Sequence, residues 1–210
     1  MSWLARMILH KEDLERFQRS FQDNYALHKA TWDCFPGRPD AARDFLLRLD
    51  WLADGCRLYV LCGHKPSRPD WCPAAAWGVK EIAPSFLQHD AYAFDLVANP
   101  TRKVHAFAAD GSRTKNSKRL ALVHEDEQRR WLAGKAQQHG FRLDEAAPLA
   151  IDEIGSHLFV RKAKTGTHFG VRFRGTLHVV DRERFIHAFH RGIGSAKAFG
   201  FGMLLLQPIS

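Results

Sequence analysis

The sequence predicts an α+β protein made of two consecutive units, each an antiparallel sheet backed by helices, and three observations lead there. Short apolar segments with strand-like alternation interleave with segments of helical spacing, and nearly the same order of elements is met twice in 210 residues. The composition, 45% hydrophobic and 26% charged, is that of a chain that can bury a core. No apolar run reaches the length needed to span a bilayer, so the expected product is a globular protein.

Taken in order, residues 3–9 read as a short apolar strand, followed by a polar stretch to residue 23 with a helical turn around Leu14 and Phe17. A helix begins near Asn24, carries Leu27, Thr31 or Trp32, and Phe35 at helical spacing, and stops at Phe35, Pro36 and Gly37. Residues 45–50 and 56–63 form two strands around a turn at Ala53, Asp54 and Gly55. A proline-rich crossing from Pro66 to Pro73 leads to a strand over residues 74–82. The second pass opens with a strand at residues 92–98, ended by Asn99 and Pro100, then a basic segment that reads as a loop. A helix over residues 125–138 closes at Gly140, and residues 141–143 begin another strand. Residues 158–161 and 169–180 make hairpin arms around Lys164, Thr165, Gly166 and Thr167. In the second arm Val171, Phe173, Leu177 and Val179 alternate with Arg172, Arg174, Thr176 and His178, the pattern of a half-buried strand. Asp181 caps a helix bearing Phe185, Ile186 and Phe189, and residues 203–207 are the last strand. The expected architecture is therefore a tandem of ferredoxin-like (RRM-like) βαββαβ domains, residues 1–86 and 87–210, with a cleft or continuous face between their antiparallel sheets.

A net charge of +8 points to a polyanionic partner, because clustered Lys and Arg gain free energy by displacing counterions from phosphates. Charge alone is equally compatible with simple solubility, so its placement matters. The four cysteines, Cys34, Cys56, Cys62 and Cys72, lack the paired spacing that brackets zinc and read as reduced, small core residues. Among twelve histidines no His-Glu-x-x-His pattern occurs; His124 and Glu125 lack the second histidine, so no metal and no cofactor is expected. The apolar run at the start is interrupted by Arg6 and no small-residue cleavage site follows, which places the protein in the cytoplasm.

The segment from Tyr25 through Ala26, Leu27, His28, Lys29, Ala30, Thr31 and Trp32, followed by Phe35, Pro36, Gly37, Arg38, Pro39, Asp40, Ala41, Ala42, Arg43, Asp44 and Phe45, resembles the N-terminal signature of the CasE family of CRISPR repeat-processing endoribonucleases. Ala98, Asn99, Pro100 and Thr101 before a Lys- and Arg-rich stretch resemble a second landmark, and the run from Gly192 to Leu204 resembles the family's glycine-rich loop. The resemblance covers nearly the whole chain. It implies two ferredoxin-like domains, binding of the repeat stem-loop in precursor RNA, and cleavage on the 3′ side of the stem. It further implies that the mature guide RNA stays bound and that the protein joins the other subunits of Cascade.

Tyr25 and His28, three apart on a helix, project from one face, where a phenol and an imidazole can meet one phosphodiester. RNA carries its own nucleophile, the 2′-hydroxyl, so an enzyme has only to align it, move protons and stabilise the phosphorane; no metal is required. His28 can serve as general base or acid near neutrality, whereas Tyr25 is better suited to orienting the phosphate or the hydroxyl. The expected products are a 2′,3′-cyclic phosphate and a 5′-hydroxyl. By spacing alone such a pair is an ordinary packing contact; the surrounding signature is what makes it catalytic.

Candidate RNA contacts are Lys29 and Arg38 in the signature, the basic segment with Arg102, Lys103, Arg113, Lys115, Lys118 and Arg119, the hairpin tip with Arg161, Lys162 and Lys164, and Lys197. Each has a plainer reading as a solvated cation. Gly192, Gly194, Gly200 and Gly202 do not form a nucleotide-binding loop, since Gly192 follows a helix and Lys197 lacks a following Ser or Thr. They permit tight turns and close backbone approach, or RNA contact. Two rival readings remain at this point: a noncatalytic hairpin-binding subunit of the same fold, and a metabolic enzyme with a basic surface.

Overall fold

The computed structural model describes residues 2–16, 24–37, 43–107, 113–161 and 164–209. The first sheet has the order β2-β3-β1-β4, formed by β1 (Ser2–His10), β2 (Phe45–Leu52), β3 (Gly55–Cys62) and β4 (Trp77–Ile82), all antiparallel. With α1 (Lys11–Arg16) and α2 (Asn24–Thr31) between β1 and β2, this is the ferredoxin-like strand order. Phe17, expected to continue the first helical turn, lies outside the described residues.

The period-2 alternation of these strands sends alternate side chains into two different cores. Ala5, Met7, Leu9, Phe45, Leu47, Leu58 and Val60 pack with Ala30, Cys34 and Phe35 beneath α2 and with Trp71 and Cys72 of the proline-rich crossing. Residues of the other parity, Leu46, Leu61 and Ile82, join Phe94, Leu96, Phe173, Phe185, Phe189 and Leu204 of the second unit. Burial of each such aromatic contributes about 1.5–3 kcal/mol. All four cysteines are buried and free, and burial pushes the thiols of Cys34, Cys56 and Cys62 up to about 12 and that of Cys72 to about 11. They behave as the small core residues the sequence indicated.

The second sheet repeats the strand order as β11-β5-β10-β8, from β5 (Ala91–Ala98), β8 (Phe141–Leu143), β10 (Lys164–Val179) and β11 (Leu204–Pro208). Strand β9 (Ala150–Arg161) pairs with β10 along the edge that β8 begins. Helix α3 (Glu125–Gln138) supplies Leu132 and Ala136 to the core, and α4 (Arg182–Arg191) supplies Phe185, Ala188 and Phe189. Asp181 caps α4 as expected, its carboxylate accepting from the Arg184 amide at 3.1 Å.

Two expectations are corrected. The basic segment after Pro100 is not a loop but a two-stranded hairpin, β6 (Thr101–Phe107) with β7 (Arg113–Ala121), which pairs with neither large sheet. Val104 and Leu120 of this ribbon are exposed, so at these positions the apolar residues do not mark a face turned to a core. The other hairpin is far longer than its apolar segments indicate, since β9 starts at Ala150 and Lys164, Thr165, Gly166 and Thr167 belong to β10 rather than to the connection. A register shift at Gly170 and Val171, opposite Gly155 in the left-handed region, marks a bulge that interrupts the apolar pattern there.

One polar network joins the units. Arg48 of β2 is fully buried; its guanidinium donates to Asp50 at 2.8 Å, to the Asp95 carbonyl at 3.0 Å and to the Asp95 carboxylate at 2.9 Å. Arg172 of β10 reaches the same carboxylate at 2.5 and 3.1 Å. Among the described residues, no helix is long and apolar enough to cross a membrane.

Candidate cleavage site and nucleic-acid interface

Helix α2 carries Tyr25 and His28 one turn apart on one face of its backbone. Its far end is held firmly. Trp71 donates its indole N–H to the Ala30 carbonyl at 3.3 Å and to Asp33 at 3.0 Å, satisfying groups a helix terminus leaves open. The chain then tightens into a 3-10 turn, Trp32–Cys34, where Trp32 and Phe35 pack on Phe45 at 5.1 and 5.0 Å between ring centroids. Trp32, Phe35 and Phe45 are thus core aromatics rather than base-stacking platforms.

The other neighbours of α2 come from the second unit: strand β9 and the 3-10 turn Lys197–Phe199 within the glycine-rich loop. That loop lies on β2, where a Cβ at Gly192 would come within 3.0 Å of Leu46. All four of its glycines have positive φ. At Gly202 a Cβ would sit 2.5 Å from the Ile193 carbonyl, and at Gly194 it would meet the Trp131 ring at 3.1 Å. The loop is therefore built for close backbone approach. It is tied down by bonds from Ile193 N–H to Gly202 O and from Gly202 N–H to Val97 O, at 2.8 and 2.7 Å.

A cleft of about 400 Å³ opens beside this loop, lined by Lys103 and Arg119 of the β6–β7 ribbon, by Trp131, Lys135 and His139 at α3, and by Gly192, Gly194, Ser195 and Lys197. Lys103 and Arg119 are cross-strand partners, and both are exposed. Burial, followed by Lys135, Lys197 and His187, lowers the pKa of His139, so the positive charge of the cleft resides on Lys and Arg. Such a surface attracts a phosphate backbone electrostatically.

The remaining candidates fall at three places. Lys29 is exposed on α2, and Arg38 lies outside the described residues. Arg113, Lys115 and Lys118 occupy β7, with Arg102 on β6. Arg161 and Lys164 pair in register at the far end of the β9–β10 hairpin, and Lys162 lies outside the described residues. Lys197 has a structural role, since its ammonium donates to the Arg191 and Gly192 carbonyls at 2.8 and 3.0 Å and closes the C-terminus of α4. Burial, then Arg43, Arg191 and Lys135, lowers its pKa. Sequence reading missed Lys135 and His139; the signal was the spacing Trp131, Lys135, Gln138 on one stripe of α3.

The class defined here is a tandem ferredoxin-like protein in which the helix bearing Tyr25 and His28 is set against a glycine-rich turn, near a basic cleft whose charge suits a polyanion. Comparison with known proteins makes the class specific. Residues 2–208 match the family model described as CRISPR associated protein, and the chain belongs to that family, in its CasE branch. It is 30% identical to the CRISPR system Cascade subunit CasE of Escherichia coli K12, over 90% of this chain and 94% of that protein. It is 29% identical to the CRISPR-associated endoribonuclease Cse3 of Thermus thermophilus, over 98% and 100%. Among solved structures, Thermus thermophilus Cse3 bound to an RNA representing a pre-cleavage complex matches with a TM-score of 0.73 at 26% identity, covering 99% of both chains. The Escherichia coli K-12 protein Cas6e shares the fold, with a TM-score of 0.72 at 24% identity over 100% of both chains.

Proposed function

We propose that this protein is an endoribonuclease that binds the CRISPR repeat stem-loop of precursor RNA and cuts at the 3′ side of the stem. The observation that carries the reading is the position of the Tyr25/His28 helix, which abuts the glycine-rich turn and the β9–β10 hairpin beside a cation-lined cleft, in a chain of the CasE family. The chemistry is metal-independent: the 2′-hydroxyl attacks in line, His28 moves a proton, Tyr25 orients the phosphate or the hydroxyl, and the products are a 2′,3′-cyclic phosphate and a 5′-hydroxyl. Lys103, Arg119 and Lys135 follow the stem backbone, and the β9–β10 hairpin grips the stem. Residues 1–86 supply the catalytic helix and residues 87–210 most of the RNA surface. After cleavage the protein stays on the guide RNA, in the cytoplasm, as a subunit of Cascade.

The test is cleavage, in EDTA, of the host repeat hairpin beside one carrying a single 2′-deoxy substitution at the cut site. Cleavage of the all-ribose RNA alone, leaving a cyclic phosphate, is the expected result. Tight binding of both with cleavage of neither replaces the nuclease by a noncatalytic hairpin-binding subunit. Binding of neither by folded protein removes RNA as the ligand.

A further inference from the structure

Between the two elements of the second unit that α2 abuts stands a histidine that the proposed chemistry does not use. His168 of β10 is half-buried and pairs in register with His157 of β9. Its ring lies 4.7 Å from the Phe199 ring, in the 3-10 turn, and 5.9 Å from Phe201. It therefore touches, or is strand-paired with, both of the elements that α2 meets.

The imidazole is seated from one side by Asn99, whose Nδ2 donates to His168 Nδ1 at 3.0 Å. Asn99 is only 5% exposed, and its position is firmly set. It follows β5 directly, its carbonyl accepts from the Ser195 hydroxyl of the glycine-rich loop at 3.4 Å, and Pro100 confines its backbone. Its amide oxygen is buried and has no hydrogen-bond partner among the described residues. A buried amide half-satisfied in this way is a cost to stability, and the half that is satisfied seats His168. An apolar side chain would fill the place without that cost and would leave His168 unseated.

We infer that His168, seated by Asn99, is a positioning residue for RNA cleavage: its ring fixes the Lys197–Phe199 turn against the helix that bears Tyr25 and His28. The inference rests on the nuclease reading above. The ring acts through Phe199 rather than on the phosphodiester, and a displacement of the turn reaches the reacting groups through α2. A misplacement of about 1 Å at reacting atoms costs on the order of 100-fold in rate.

The experiment is single-turnover cleavage of the repeat hairpin by wild type, His168→Ala, His168→Asn, Asn99→Ala and the double alanine variant. Affinity for the uncleavable 2′-deoxy hairpin and thermal unfolding are measured in parallel. Expected are losses of about 30-fold or more in the cleavage constant for each alanine variant, with affinity changed less than about threefold. The double variant should lose little more than either single one, because both act through one contact. His168→Asn, which keeps an acceptor for Asn99 but loses the ring that packs on Phe199, should stay within about fivefold of His168→Ala. Wild-type cleavage by His168→Ala, additive losses in the double variant, or a fall in affinity matching the fall in rate would each overturn the inference. If His168→Ala does not fold, Asn99→Ala carries the same split, and wild-type kinetics in that variant overturns it. Failure of the wild-type protein to cleave would strike the nuclease reading itself, a result distinct from all of these.

Discussion

Arg48 and Asp95 meet across the boundary between the two sheets, with the guanidinium fully buried and both the carbonyl and the carboxylate of Asp95 accepting from it. Arg172 occupies the remaining carboxylate positions from the neighbouring strand. A buried charge pair of this kind adds little against an apolar replacement, but removing Asp95 leaves the buried Arg48 with Asp50 alone and deprives Arg172 of its carboxylate.

Asp95→Ala should therefore lower the unfolding free energy by about 3–5 kcal/mol, measured by urea denaturation. A loss under about 1 kcal/mol would mean that water reaches Arg48 as soon as the carboxylate is gone.

His28→Ala should lose cleavage by a factor of about 10²–10⁴ while keeping hairpin affinity, as expected for a group that moves a proton. Single-turnover rates beside binding of the 2′-deoxy hairpin decide it, and a matching fall in affinity would make His28 a structural residue.

Charge reversal at Lys103 and Lys135 should weaken hairpin binding and reduce the slope of log affinity against log salt by about 0.7–0.9 for each phosphate no longer neutralised. Reversal at Arg161 and Lys162 should act in the same direction if the hairpin tip grips the stem. An unchanged slope for either pair excludes that surface from the interface.

Gly202→Ala places a methyl group 2.5 Å from the Ile193 carbonyl at a φ of +88°. The expected cost is about 1–3 kcal/mol of stability, seen as a lowered melting temperature, together with slower cleavage because the loop borders α2. A variant with wild-type melting and cleavage would show that the loop accommodates the change.

Folded His139 is held below its ordinary pKa by burial and by Lys135, Lys197 and His187. As pH falls through about 6.5 the unfolded chain takes up this proton before the folded one does, so stability declines with acidification. His139→Gln should flatten that decline as pH falls below about 6.5 in urea unfolding; an unaltered profile would assign the acid sensitivity to other groups.

The sheets were legible wherever alternation had a core to point into. Val171, Phe173 and Leu177 reveal β10, and Glu125–Gln138 is recovered to the residue because its apolar spacing and the closing glycine agree. The β6–β7 ribbon escaped because cross-strand pairs such as Lys103 with Arg119 carry charge at exposed positions, where no hydrophobic alternation marks a strand. Most of β9 escaped for the related reason that its residues 152–156 are exposed and its glycine bulge breaks the period. At the site, the order of Tyr25 and His28 along a helix could be read locally. The convergence of Lys103, Lys135 and Gly194 on one cleft could not, because it depends on how α3 packs beside a loop some sixty residues away.

The hydrophobic cluster that takes Leu46, Leu61 and Ile82 from the first sheet and Phe189, Met203 and Leu204 from the second unit belongs to neither unit alone. Either half produced separately would present that apolar surface to water and tend to self-associate. Although the chain reads as a duplication, heat should melt it in a single cooperative step, and grafting one half onto a relative's other half should succeed only when the seam residues travel with it.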